Sequence, residues 1–376
     1  MKMELKLQKH WIGWVLSAAA LALIIPSIGF SGTPRVDRYD FAINTNWADN
    51  TVSIINIRTG EEKVRINVGA KPYDVRTDEH GRFAYVSLSG ANQISVIDLQ
   101  ANLEAERITV GESPRDFVMT KDFSKFVVAN SGSNSISVVD VKNKRELFQI
   151  PVGLVPYGVG LAEDDHTAVV SNWGEGTISF VDLDARREIK RVSVGHLPYT
   201  VAILADTNVA YATVFGDDKV IVLDIKARSV LNEIEVGKSP WGISATNKMI
   251  AVANFYSGSV SIIDVTDPRS AQGFSVRTYE FRGKKPGAHI EPSAKARKPT
   301  DEIQTAAGID EFGVTGRAKQ TVASLDGTLL FTDLAANTVN IFDLNKNEFI
   351  ASIPVGHAPY GIDFLPQGIK KVTSTE

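Results

Sequence analysis

The sequence contains no cysteine. That excludes disulfides, thiolate metal sites, covalent c-type haem and lipidation of an amino-terminal Cys. An excess of one charge sign is also missing, since 40 Lys and Arg face 44 Asp and Glu, for a formal net charge of −4. Such a balance gives no global pull toward nucleic acid or anionic lipid, so either contact needs a local basic patch. Histidine is scarce, with six in 376 residues. The chain has no hydrolase elbow, Walker loop, Rossmann fingerprint or low-complexity tract.

The amino-terminal segment differs from the rest. Lys2, Lys6 and Lys9 precede an apolar run from Trp11 to Ile25, broken at Pro26. This is the charged and apolar order of an export signal, and the small residues Ser27, Gly29, Ser31 and Gly32 follow it. Two readings stay open. One is a cleaved signal peptide, cut after Gly29 or Ser31. The other is an uncleaved membrane anchor, because Trp11 to Phe30 is about the ~20 residues that span a bilayer, with its basic end inside. Either reading puts the folded part outside the cytoplasm, in the periplasm or another extracytoplasmic space. Without disulfides, its core alone must hold it.

Periodicity dominates what remains. Gln93-Ile94-Ser95-Val96-Ile97-Asp98-Leu99 returns in six further copies, whose terminal Asp or Asn lies at 56, 140, 182, 224, 264 and 343. The first four steps are 42 residues each. A second marker, Gly-x-x-Pro, starts at Gly69, Gly111, Gly153, Gly195, Gly237, Gly283 and Gly356. The two markers stay in phase until residue 283, so one insertion follows Gly283, over roughly 284–319. A period near ~40–45 residues of short strands is the signature of a β-propeller.

Each repeat reads as four strands, A to D. In one of them Pro114 to Thr120 is A, Lys125 to Asn130 is B, Ser135 to Val141 is C and Glu146 to Val152 is D. Strand C is apolar on both faces, as a strand between two packed blades must be. The chain start supplies B, C and D of another blade without an A, and Pro359 to Leu365 at the other end supplies that A. The expected fold is therefore all-β. It is a seven-bladed β-propeller of four-stranded antiparallel blades, closed by amino-terminal strands pairing with the carboxy-terminal strand. The domain reading is 1–31 signal or anchor, 36–368 propeller with its insertion, and 369–376 tail.

These repeats resemble the YVTN-type β-propeller repeat family. The resemblance rests on Val110-Gly111-Glu112-Ser113-Pro114 and Val194-Gly195-His196-Leu197-Pro198. It also rests on Val127-Val128-Ala129-Asn130, Val252-Ala253-Asn254 and Ile94-Ser95-Val96-Ile97-Asp98. It implies an exported or surface propeller. Similar rings serve as scaffolds, nucleic-acid binders, lactonases and electron-transfer subunits, and the fold does not choose among them.

Strand order puts the D–A and B–C connections on one face, here called the top. Strand A is innermost, so the residue after each Pro should rim the channel: Tyr73, Arg115, Tyr157, Tyr199, Trp241 and Tyr360, with Gly287 in the blade carrying the insertion. Such a ring is either packing between blades or a ligand platform. Arg115 breaks the aromatic pattern and is the expected anion contact, unless Asp116 or Asp74 pairs with it. Loops on the same face add Trp47, Trp173, Phe215, Phe255 and Tyr256, and exposed loop aromatics point to binding. The repeated Asp after strand C and the Asn after strand B read as turn caps.

His196 and His357 share the Gly-His-x-Pro position, and His289 lies in the insertion. Together they are candidate ligands for a metal or haem at the channel mouth. No cofactor is otherwise expected. Lys284, Lys285, Lys295, Arg297 and Lys298 make the first half of the insertion basic, suited to a partner or to a lid over the mouth. The leading expectation is a monomeric, non-enzymatic exported module that recognises an envelope protein or small ligand through the channel mouth. A metal- or haem-dependent redox or lactonase-like propeller is the alternative. A nucleic-acid binder, using the aromatics and Lys284 to Lys298, is disfavoured by the acidic balance. A membrane contact is expected only through an uncleaved amino terminus.

Overall fold

The computed structural model describes residues 40–246, 248–269, 273–281, 283–293, 318–323 and 327–365. The amino-terminal signal or anchor, the tail, and Lys295, Arg297 and Lys298 lie outside them. Among the described residues no helix is long and apolar enough to cross a membrane.

The described strands form seven four-stranded antiparallel sheets. Six blades use consecutive strands, for example Pro72–Thr77, Phe83–Leu88, Gln93–Asp98 and Leu103–Thr109. The first blade takes strand A from the other end of the chain. Pro359–Leu365 pairs with Phe41–Asn46, with Phe41 opposite Leu365 and Ala42 opposite Phe364. The ring therefore closes by hydrogen bonds, and the first blade gains its full four strands.

The core lies between blades, and each of the seven apolar clusters draws on two neighbours. Val127, Ile136 and Ile150 of the third blade meet Val159, Ala168 and Val181 of the fourth. This explains why strands B and C are apolar on both sides. Outer strands such as Leu103–Thr109 alternate toward solvent.

Polar side chains fix the turns. Asp98 accepts the Gln100 and Ala101 N–H groups, and Asp343 accepts those of Asn345 and Lys346. The repeated Asp is thus a turn cap, as its position predicts. The Asn after strand B works differently from expectation. Its amide donates to two hydroxyls of strand C rather than to local backbone, as Asn130 does to Ser135 and Ser137.

A second set of hydroxyls ties blade to blade. Thr213, fully buried, accepts the Thr200 N–H of its own blade at 3.0 Å and donates to the Trp241 carbonyl of the next at 2.8 Å. Thr45, Ser87, Ser171 and Thr332 occupy the same place and likewise donate to the rim-residue carbonyl of the following blade. The third and sixth blades carry Ala129 and Ala253 there instead.

The insertion departs from expectation in two ways. It ends before Ala318, which begins strand A of the seventh blade, Ala318–Ala323. Its described part is also not a lid over the mouth. The Gly287 N–H donates to the Phe349 carbonyl at 2.7 Å, and the Ile290 N–H donates to the Asn347 carbonyl at 2.8 Å. That line runs along the outer strand Glu348–Pro354. Ile290 is buried among Phe281, Phe342 and Phe349. A bridge between Thr278 and Ser293 joins the same segment to the sixth blade.

Candidate functional site

Top-face loops and D–A segments meet as the strand order requires. The Ser89 N–H donates to the Lys71 carbonyl, and the Trp173 N–H donates to the Val155 carbonyl. The residues after each Pro do rim the channel mouth. Tyr73, Tyr157, Tyr199, Trp241 and Tyr360 line one cavity there. The seventh place belongs to Lys319 and not to Gly287, which pairs at the outer edge. The reason is local. Ala318 replaces Pro in this blade, while Gly283 and Pro286 in the insertion imitate the Gly-x-x-Pro marker. Spacing reveals the true register. Pro to Asp spans 26 residues in four blades (72 to 98, 114 to 140, 156 to 182, 198 to 224), and Ala318 to Asp343 spans 25.

The aromatic rings are in continuous contact. Tyr360 stacks on Trp47 at 5.8 Å and meets Tyr73 edge-on at 5.2 Å. Tyr73 contacts Tyr157 at 6.3 Å, Tyr157 contacts Tyr199 at 4.6 Å, and Tyr199 contacts Trp241 at 4.4 Å. Trp173 packs on Tyr157 at 5.7 Å. Beyond Trp241 the belt continues to Phe255 and Phe215 and ends at Tyr256, which is 43% exposed. Tyr73 and Tyr199 are buried and join their hydroxyls directly. Burial raises both phenols well above their ordinary pKa.

Arg115 does not pair with Asp74 or Asp116. Its guanidinium lies 4.8 Å from the Tyr73 ring centre and 4.9 Å from that of Tyr157, and its Nε donates to Ser131 Oγ at 3.1 Å. It bridges the gap that its own missing ring would leave. The two carboxylates belong to Arg76, which reaches Asp74 at 3.0 Å and Asp116 at 3.1 Å. Burial raises the pKa of Asp74 well above the carboxylate range against the pull of Arg76, and that of Asp116 is raised for the same first cause. Asp363 accepts the Thr77 N–H at 3.0 Å, and burial pushes its pKa up to about 6. Asp74 Oδ2 is buried without a hydrogen-bond partner. This acidic cluster beneath the rim was missed by sequence reasoning, because it forms between strands A distant in the chain.

Lys319 is 1% exposed. Its Nζ lies 4.1 Å from the Trp241 ring centre and 2.8 Å from that of Tyr360. Burial, then the charge of Arg115, pushes its pKa well below the usual lysine value. Rim and floor together offer stacking surfaces, the Arg115 guanidinium, the buried Lys319 amine and a carboxyl whose pKa burial raises. The cavity encloses about 330 Å³ including the solvent at its mouth, and little more than a water molecule fits deep inside.

The three histidines are not brought together as a ligand set. His196 Nδ1 meets Asp217 at 2.8 Å, His357 Nδ1 meets Asp49 at 2.9 Å, and His289 Nε2 meets Glu291 at 2.8 Å. All three rings are exposed, and His289 sits on the outer edge against Glu348. Among the described residues no group of three or more His, Asp or Glu is placed to hold a metal ion. Lys284 and Lys285 are exposed on that outer edge too, away from the rim.

Comparison with known proteins extends the fold. Hydrazine synthase of Kuenenia stuttgartiensis superposes with a TM-score of 0.58 at 18% identity, over 77% of this chain and 88% of that one. A functionally unknown protein from Desulfotomaculum acetoxidans DSM 771 gives 0.69 at 13% identity, over 88% and 100%. Virginiamycin B lyase from Staphylococcus aureus gives 0.58 at 14% identity, over 78% and 88%. At such identities the likeness establishes the ring and no activity. A search of curated proteins finds no match. The YNCE-like β-propeller family model matches residues 80–369, well over half of the sequence, and the chain belongs to that family.

Proposed function

We propose that the protein is an exported binding module that recognises a partner protein or ligand through the aromatic face around its channel mouth. The observation that carries this reading is the unbroken belt from Trp47 through Tyr360, Tyr157 and Trp241 to exposed Tyr256. Packing between blades needs only the inner rings. The outer members, Trp47, Trp173, Phe215 and Tyr256, extend the apolar surface onto loops, where it meets solvent. Aromatic residues and Arg concentrate at the centres of recognition surfaces, because they offer large contact area at low entropic cost. The charged amino-terminal segment and apolar run support export.

The test is capture from the cell envelope. Wild-type protein, a Trp241→Ala Tyr256→Ala variant and an opposite-face Lys142→Glu variant are immobilised in parallel. The reading expects a partner held by wild type and by the Lys142 variant but lost from the aromatic variant. Equal capture by all three would overturn it.

A further inference from the structure

Lys319 stands where five other blades place an aromatic ring. Its ammonium would have given up its water. Among the described residues no carboxylate, carbonyl or hydroxyl accepts a hydrogen bond from Nζ, and the faces of Trp241 and Tyr360 flank it. Ring faces return only part of what burying the ion costs. Arg115, on the same rim, adds like-charge repulsion. Burial and Arg115 therefore favour the neutral amine, whose nitrogen carries a lone pair.

The same cavity is lined by Asp74. That side chain is almost fully buried, and its Oδ2 accepts no hydrogen bond, while its carboxyl meets that of Asp116. Burial and the neighbouring Asp116 favour its protonated form, although Arg76 opposes this. A buried amine and a buried carboxyl, each pushed toward its neutral form, thus line one small, aromatic-walled space. Neither is explained by partner recognition at the outer loops, and this inference goes beyond that reading.

We propose that Lys319 is a nucleophilic amine that captures small aldehydes as a reversible imine, with Asp74 as the proton donor. The nitrogen lone pair adds to the carbonyl carbon, and the carbonyl oxygen takes the Asp74 proton, giving a carbinolamine. The Asp74 carboxylate then removes a proton from nitrogen. The hydroxyl leaves with that proton as water, the C=N bond forms as a protonated iminium, and the Asp74 carboxylate takes the remaining nitrogen proton. Aldehyde plus amine becomes imine plus water, and Asp74 ends as it began. The narrow interior restricts the aldehyde to the size of formaldehyde or glycolaldehyde.

The test is reductive trapping on folded full-length protein. Formaldehyde and sodium cyanoborohydride are added at pH 6.5, and methylation is mapped by peptide mass spectrometry. At that pH roughly one in 10⁴ ordinary lysine amines is neutral, so Lys319 should be labelled at least ~100-fold faster than the exposed lysines, with the α-amino group the main competitor. In urea the preference should disappear. Asp74→Asn should slow labelling of Lys319 at least about tenfold while the α-amino group is labelled as before. Labelling of Lys319 in wild type that is no faster than that of exposed lysines would overturn the proposal, whether the amine is charged or sealed off. Because wild type decides it, a variant that fails to fold cannot rescue the idea. Trapping can fail while envelope capture by the aromatic face stands, so the two readings fall separately.

Discussion

Thr213 offers a sharp test of how the blades hold together. Its hydroxyl is the link between the Thr200 N–H at 3.0 Å and the Trp241 carbonyl at 2.8 Å, and the side chain is fully buried. The ladder between these strands shifts register between Pro198 and Val201, so the sheet does not pair Thr200 directly with strand B. Thr213→Val keeps the shape and removes the oxygen. It leaves one donor and one acceptor unsatisfied, at about 1–3 kcal/mol each before relaxation, so a loss of about 2–4 kcal/mol is expected. At roughly 2 °C per kcal/mol for a large domain, the melting temperature should fall by roughly 4–8 °C. Thr213→Ser keeps the hydroxyl and should cost only about 1 kcal/mol for the lost methyl. The converse change is Ala129→Ser, in a blade that lacks the link, and it should gain about 1 kcal/mol. Calorimetry and urea unfolding with an unchanged slope measure all three. A Thr213→Val protein as stable as wild type would refute the idea that these hydroxyls fasten blade to blade.

Three further predictions follow from single sites. Asp363 has its folded pKa raised to about 6, so the native state binds more protons than the unfolded chain between pH ~4 and ~6 and stability falls as pH rises through that window. Asp363→Asn should therefore raise stability at pH 7 by roughly 2–3 kcal/mol and show little difference at pH 4, measured by denaturation across pH; an unchanged pH profile would refute this. Ile290→Ala should cost about 2–4 kcal/mol, because this insertion residue is 3% exposed between the sixth and seventh blades; a neutral result would show that the segment is not part of the ring. Gly158→Ala would put a Cβ 2.5 Å from the Tyr199 carbonyl oxygen and 2.7 Å from Thr200 Cα, and the overpacked blade contact should lower stability by about 1–3 kcal/mol in urea unfolding.

Most of the fold was legible because local rules repeat. Strand C, its capping Asp and the Gly-x-x-Pro marker recur at one spacing, and an incomplete first blade implied its missing strand at the other end. The rim aromatics followed from the same register. Lys319 did not, because the marker had moved: Pro286 offered a false start, and Ala318 carried no signature of its own. The acidic cluster was hidden for another reason. Arg76 pairs with Asp116 across blades and lies close to Asp363, near the other end of the chain, and periodicity says nothing about which channel residues face one another. The same holds for Ile290, whose burial depends on Phe281 and Phe349 meeting from adjacent blades. The three histidines show the opposite error. His196 and His357 hold equivalent positions and share a face, but the ring keeps them apart, and His289 lies on the outer edge, each beside its own carboxylate.

The central claim is that the aromatic mouth is the working face. Hydroxyl-radical footprinting of the protein in intact cells that express it, against the purified protein, tests this most directly. The account predicts that Trp47, Trp173, Trp241 and Tyr256 are protected in the cells while residues of the opposite-face turns react equally in both. Equal oxidation of the four mouth residues in both preparations would contradict it.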